Sequence, residues 1–106
     1  MLTSKQRAYL LSLSTDMDPI FQIGKAGITP QVIEAIDQAL EARELIKISV
    51  LPTGFETEDR DLKSICDIIC SRTHADPVKI IGRRMIIYRP SRKPKIELPK
   101  ARKAKQ

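Results

Sequence analysis

Three patterns in this 106-residue chain predict a two-layer α/β (α+β) domain built on a mixed four-stranded sheet. Apolar residues recur at helical spacing in two separate segments, they alternate over residues 45–51, and a glycine turn near residue 82 joins two apolar runs. The predicted order is helix, strand, helix, strand, helix, strand, strand. Strand-helix-strand crossovers are right-handed, so a chain moving in one direction across its sheet puts both crossover helices on one face. Pattern alone leaves the first helix unplaced.

Taken in order, Thr3 reads as an N-cap and Gln6 completes a capping box for a helix over residues 4–14, with Leu10, Leu11 and Leu13 as its apolar side. Lys5 and Arg7 occupy the dipole's unfavourable end, and read either as solvated charges or as part of a basic surface. Asp18-Pro19 breaks the helix, and residues 19–23 read as a short strand. From Pro30 to Ala42, positions Val32, Ile33, Ile36, Ala39 and Leu40 line one helix face. Glu34, Asp37, Glu41 and Glu44 line the other, a side that should repel nucleic acid. In residues 45–51, Ile46, Ile48 and Val50 face one way and Lys47 and Ser49 the other.

Pro52-Thr53-Gly54 reads as a turn, and the acids among residues 56–61 fall where a third helix begins, favouring its positive end. Leu62, Ile65, Cys66 and Ile69 carry that helix to Thr73. Asp76-Pro77 ends it, and residues 78–81 and 84–89 form a hairpin about Gly82-Arg83. Pro90, Pro94 and Pro99 keep the remainder extended, with Ile96 and Leu98 as anchors. The domain is therefore expected over residues 1–99, and residues 100–106 are expected to be a mobile basic tail with nothing to bury.

The charge of +6 is unevenly placed. Residues 91–106 hold seven of the nineteen basic residues and one of the thirteen acids, which leaves twelve of each in residues 1–90. A basic face on the body must therefore come from segregation of charge. The tail reads as an electrostatic arm or as a solubilising extension. No apolar run approaches the roughly 18 residues of a membrane span, and no secretory cleavage site follows the first residues, so a cytoplasmic protein with no membrane contact is expected.

Cys66, Cys70 and His74, each four apart, could share a helix side, but structural zinc usually takes four ligands and the chain has no further Cys or His. Neither a metal nor a cofactor is expected, and two unpaired thiols point to a reducing compartment. With one histidine, no nucleophile beside a base, no Walker loop and no dinucleotide fingerprint, catalysis is the least favoured class.

The stretch Gln22-Ile23-Gly24-Lys25-Ala26-Gly27-Ile28-Thr29-Pro30 reads as strand end, glycine loop and capped helix start. One reading is a backbone clamp for nucleic-acid phosphate, in which Gly24 and Gly27 allow close approach and Lys25 supplies charge. The other is an ordinary strand-to-helix turn. Arg83, Arg84 and Arg89, with Tyr88 among them, would extend a basic surface, which Lys5 and Arg7 could join. Tyr9, Phe21, Phe55 and Tyr88 are the only aromatics, too few for a paired stacking platform, so binding would rest on phosphates and shape.

Leu2-Thr3-Ser4-Lys5-Gln6, the Pro19-to-Thr29 run with Gly24-Lys25-Ala26-Gly27, Ala39-Leu40-Glu41-Ala42-Arg43-Glu44-Leu45-Ile46-Lys47, and Ile80-Ile81-Gly82 through Tyr88-Arg89-Pro90 together resemble a stand-alone bacterial CRM domain of the YhbY type. The resemblance implies a fold similar to the C-terminal domain of translation initiation factor three, with strand order 1-2-4-3. It also implies RNA binding through the Gly24-Lys25-Ala26-Gly27 loop and association with ribosomal RNA in large-subunit precursors; plant relatives with this module act in group II intron splicing. A non-catalytic, monomeric factor in ribosome biogenesis is the expectation. The alternative is an adaptor that docks on a ribosomal protein or an assembly enzyme, with RNA contact through the basic tail alone.

Overall fold

The computed structural model describes residues 2–99, so the basic tail at 100–106 lies outside the described residues. Thr3 and Gln6 form the capping box: the Thr3 hydroxyl accepts the Gln6 N–H at 3.0 Å and the Gln6 side chain accepts the Thr3 N–H at 3.1 Å. They start α1 (Ser4–Ser14), which leads to β1 (Phe21–Ile23). Thr29 caps α2 (Pro30–Arg43) by accepting the Val32 N–H at 3.1 Å, with Pro30 in the first turn. Then come β2 (Leu45–Val50), α3 (Pro52–Glu58), α4 (Leu62–Thr73), β3 (Asp76–Ile81) and β4 (Arg84–Tyr88).

The sheet runs β1-β2-β4-β3, with β1 parallel to β2 and the other pairs antiparallel, the order that the resemblance implied. Ile46, Ile48 and Val50 face α2 and α4 and bury against Ile36, Leu40, Ile65 and Ile69. Both crossover helices thus share a face. On the other face, Leu10 of α1 and Leu2 just before its cap pack with Leu45, Val78, Ile86 and Tyr88, which places the helix that pattern alone could not.

The segment after β2 differs from expectation. Pro52-Thr53-Gly54 opens α3 instead of forming a bare turn, and the acids that follow sit at the end of α3 and at the cap of α4. Asp61 caps α4 by accepting the Ser64 N–H at 2.9 Å, so only this acid has the helix-start role expected of the group. α3 can pack against β1 because Gly54 has no side chain: a Cβ there would collide with the Ile23 carbonyl oxygen and lie 3.0 Å from its carbon.

Glu44 also departs from expectation. It closes α2 with φ at 70° and is fully buried, whereas the sequence put it on the solvated acidic side. Its carboxylate accepts the Ser91 N–H at 2.9 Å, the Ser91 hydroxyl at 2.7 Å, the Lys95 N–H at 2.9 Å and the Ile96 N–H at 2.7 Å. Burial by itself would raise its pKa. The Ser91 bonds, with those from Ile96 and Lys95, outweigh burial and hold it at about 2. The clasp fixes the extended segment after β4, and Ile96 and Leu98 pack against the α1 face as expected. Gln6 Nε2 in turn donates to the Pro99 carbonyl at 3.0 Å.

Candidate nucleic-acid interface

The loop between β1 and α2 is turned by a Gly27 N–H to Gly24 carbonyl bond of 2.9 Å. Lys25 and Ala26 stand exposed at its tip, and their N–H groups have no protein acceptor among the described residues. Its inner side rests on α3: the Thr57 hydroxyl donates to the Lys25 carbonyl at 2.6 Å, and the Glu58 carboxylate accepts the Ile28 N–H at 2.6 Å. Both pins come from the last turn of α3.

Gly27 does different work from that expected. Gly27 is buried with φ at 73°, and a Cβ there would collide with the Glu58 carboxylate and lie 2.9 Å from Thr57 Cγ2, so its lack of a side chain serves inward packing. At Gly24 a Cβ would meet only ordinary contacts, 3.5 Å to Leu51 and 3.6 Å to Thr53. Gly27→Ala is accordingly expected to cost about 2 kcal/mol in urea unfolding and Gly24→Ala under about 1 kcal/mol. The start of α2 is also less available than the sequence suggested, because Glu58 takes the Ile28 N–H, Thr29 takes that of Val32, and Pro30 has none. Anion contact falls to the loop tip and to the Gln31 N–H, the one first-turn donor of α2 without a protein acceptor among the described residues.

Strand register decides which cations share this end. Ile23 aligns with Val50 at the end of β2, and the Val50 N–H donates to the Arg83 carbonyl at 2.8 Å, so the Gly82-Arg83-Arg84 turn borders the same rim. Two strand spacings separate β1 from β4, about 10 Å. Arg83 and Arg84 are exposed there. Arg89 is not, because Tyr88 pairs with Leu45 at the opposite end of β2, about 16 Å away. Its guanidinium pairs with Asp37 and lies 3.6 Å from Glu41, and it donates to the Thr73 carbonyl at 2.8 Å and the Asp37 carbonyl at 3.0 Å. Arg89 is thus removed from the candidate surface as a structural tie. Arg89→Ala should lower stability by about 2 kcal/mol in urea unfolding and leave the rim unaltered.

Lys5 and Arg7 ride on α1, on the sheet face away from α2 and α4, and Arg7 donates to the Leu2 carbonyl at 3.2 Å. No described contact brings either to the loop. The rim is asymmetric in charge. On the α3 side Glu56 and Asp59 are exposed, and Glu58 lies 3.9 Å from Arg60. The hairpin side carries Arg83 and Arg84. A polyanion would therefore run from the loop tip toward the hairpin. Sequence reasoning missed the exposed Leu51 and Ile81 beside those arginines; the only signal available was alternation, which puts Leu51 on the side of Lys47 and Ser49.

Cys66 and Cys70 lie 4.0 Å apart, sulfur to sulfur, as buried free thiols, while His74 caps α4 from an exposed position. The Cys70 thiol is held well above the ordinary range, first by its hydrogen bond with Cys66 and then by burial. Among the described residues no three His, Cys, Asp or Glu side chains are grouped to hold a metal ion.

A family model for the CRS1 / YhbY (CRM) domain matches residues 2–89. The "Probable RNA-binding protein YqeI" of Bacillus subtilis (strain 168) is 39% identical over 100 residues, covering 93% of this chain and the whole of the relative. An RNA-binding protein of Haemophilus influenzae is 36% identical over 99 residues, covering 93% of this chain and 96% of its own length. A hypothetical protein from Staphylococcus aureus, solved in solution, is 46% identical and superimposes with a TM-score of 0.75 over 93% of this chain and all of the other. A glycine loop pinned from within, a sheet in the order β1-β2-β4-β3, and a match that runs from Leu2 to Arg89 agree: this chain belongs to the CRS1/YhbY (CRM) domain family.

Proposed function

We propose that this protein binds RNA without catalysis, holding the sugar-phosphate backbone at the Gly24-Lys25-Ala26-Gly27 loop and the neighbouring Arg83 and Arg84. The observation that carries the reading is the loop tip. The Lys25 and Ala26 N–H groups have no protein acceptor among the described residues, Lys25 is exposed beside them, and Thr57 and Glu58 of α3 hold the loop. A phosphate accepts from such a set without any rearrangement of the fold. The relatives named as RNA-binding proteins support RNA as the ligand class.

The proposed setting is the bacterial cytoplasm, and the proposed ligand is ribosomal RNA in precursors of the large subunit. There the protein would act as a monomeric assembly factor beside ribosomal proteins, with residues 100–106 as a basic tail that adds non-specific affinity. Lys25→Glu should weaken binding to ribosomal RNA by about tenfold at moderate salt while the melting temperature stays the same. Three phosphate contacts, from Lys25, Arg83 and Arg84, give an expected slope of about −2 for log affinity against log salt on a single strand. Equal binding by the wild type and Lys25→Glu would remove the loop from the reading.

A further inference from the structure

α1 covers only half of its sheet face. Leu45, Ile86 and Tyr88 are buried beneath it at one end, yet the next row toward the loop is open. Pairing places Gln22, Ser49, Arg84 and Ile81 side by side across all four strands. Phe21 and Ile23 pack with the α2 and α4 core, so Gln22 points the other way, and Ser49 alternates with the buried Ile48 and Val50 in the same sense. Gln22, Arg84 and Ile81 are exposed and Ser49 is half-buried. Beside this row a groove of about 450 Å³ is lined by Ser49, Leu51, Ile81, Arg83 and Arg84. Its volume falls within the roughly 300–1,000 Å³ of small-ligand pockets.

We propose that this open half of the sheet receives an unpaired ribonucleotide base next to the phosphate held at the loop, so that the protein selects single-stranded over double-stranded RNA. The inference rests on the loop reading above and adds the class of RNA it serves. Phosphate contact alone needs cations, but here Leu51 is 36% and Ile81 51% exposed between them. A duplex turns phosphates and riboses outward and keeps its base faces stacked, so it has little to offer those aliphatic side chains. An unpaired base has an apolar face for Ile81 and Leu51 and an edge for the Ser49 hydroxyl and Gln22 amide, while Arg84 holds the adjoining phosphate. The loop lies about 10 Å from β4, within reach of neighbouring nucleotides on one strand.

The test is fluorescence anisotropy of the full chain with a short mixed-sequence oligoribonucleotide, presented single-stranded and then annealed to its complement. The wild type should bind the single strand about tenfold more tightly. Ile81→Ser and Arg84→Gln should each weaken single-strand binding by about fivefold, and Ile81→Ser should leave duplex binding unchanged; circular dichroism verifies that both variants fold. Lys25→Glu should weaken both RNA forms, and failure of that arm would sink the loop reading itself. Equal affinity for the two forms, or an Ile81→Ser protein that binds the single strand as wild type does, would overturn the groove while the Lys25 effect stands.

Discussion

Glu44→Gln is expected to destabilise the protein by about 3 kcal/mol in urea unfolding at neutral pH. The carboxylate is fully buried and answers three backbone N–H groups and a hydroxyl, all from the segment that follows β4. Glutamine keeps one acceptor oxygen but turns an NH2 toward groups that are themselves donors. The positive-φ backbone at Glu44, with φ at 70° and ψ at −41°, adds strain that the clasp outweighs. Loss of the clasp should also loosen Ile96 and Leu98, seen as faster amide exchange at residues 91–98.

The same residue gives a pH dependence with a definite sign. Its pKa is about 2 in the folded protein and near 4.5 in the unfolded chain, so protons bind the unfolded state more readily in that interval. Its contribution is complete above about pH 4.5 and is lost as pH falls toward 2, on the order of 3 kcal/mol. Glu44→Gln should flatten that part of the stability profile. A variant as acid-sensitive as the wild type between those limits would show that the clasp is not what titrates.

Gly54→Val is the second large effect, a loss of about 3 kcal/mol or more. The new Cβ would run into the Ile23 carbonyl oxygen and lie 3.2 Å from Val50 Cγ1, and a strand carbonyl cannot step aside as a flexible side chain can. α3 must then shift, taking Thr57 and Glu58 from the loop they pin. Thermal unfolding should report the lost stability, and RNA affinity should fall at temperatures where the variant is still folded. Retention of full RNA affinity by a folded Gly54→Val protein would mean that α3 does not preorganise the loop.

Those two residues show what the sequence could and could not convey. Periodicity and capping are local, so Thr3 with Gln6, the apolar face of α2 and the alternation of β2 were legible and placed the core faces correctly. The loop was legible as a loop, and the match of Lys25 with Arg83 and Arg84 at one rim follows from the strand order. Long-range partners were not legible. Glu44 and Arg89 look like surface charges in any window of the chain, and only the return of residues 89–96 against the end of α2 gives each its counterpart. α3 escaped because a proline, a glycine and clustered acids carry turn signals, whereas this helix is stabilised by its close approach to β1.

The bond between Gln6 and the Pro99 carbonyl joins positions 93 apart in sequence, over a sheet face that Ile96 and Leu98 help to cover. The apolar side of α1 is sealed only when Ile96 and Leu98 return to it. Docking of α1 should therefore be a late event in folding, slowed by closing a loop that spans those 93 positions.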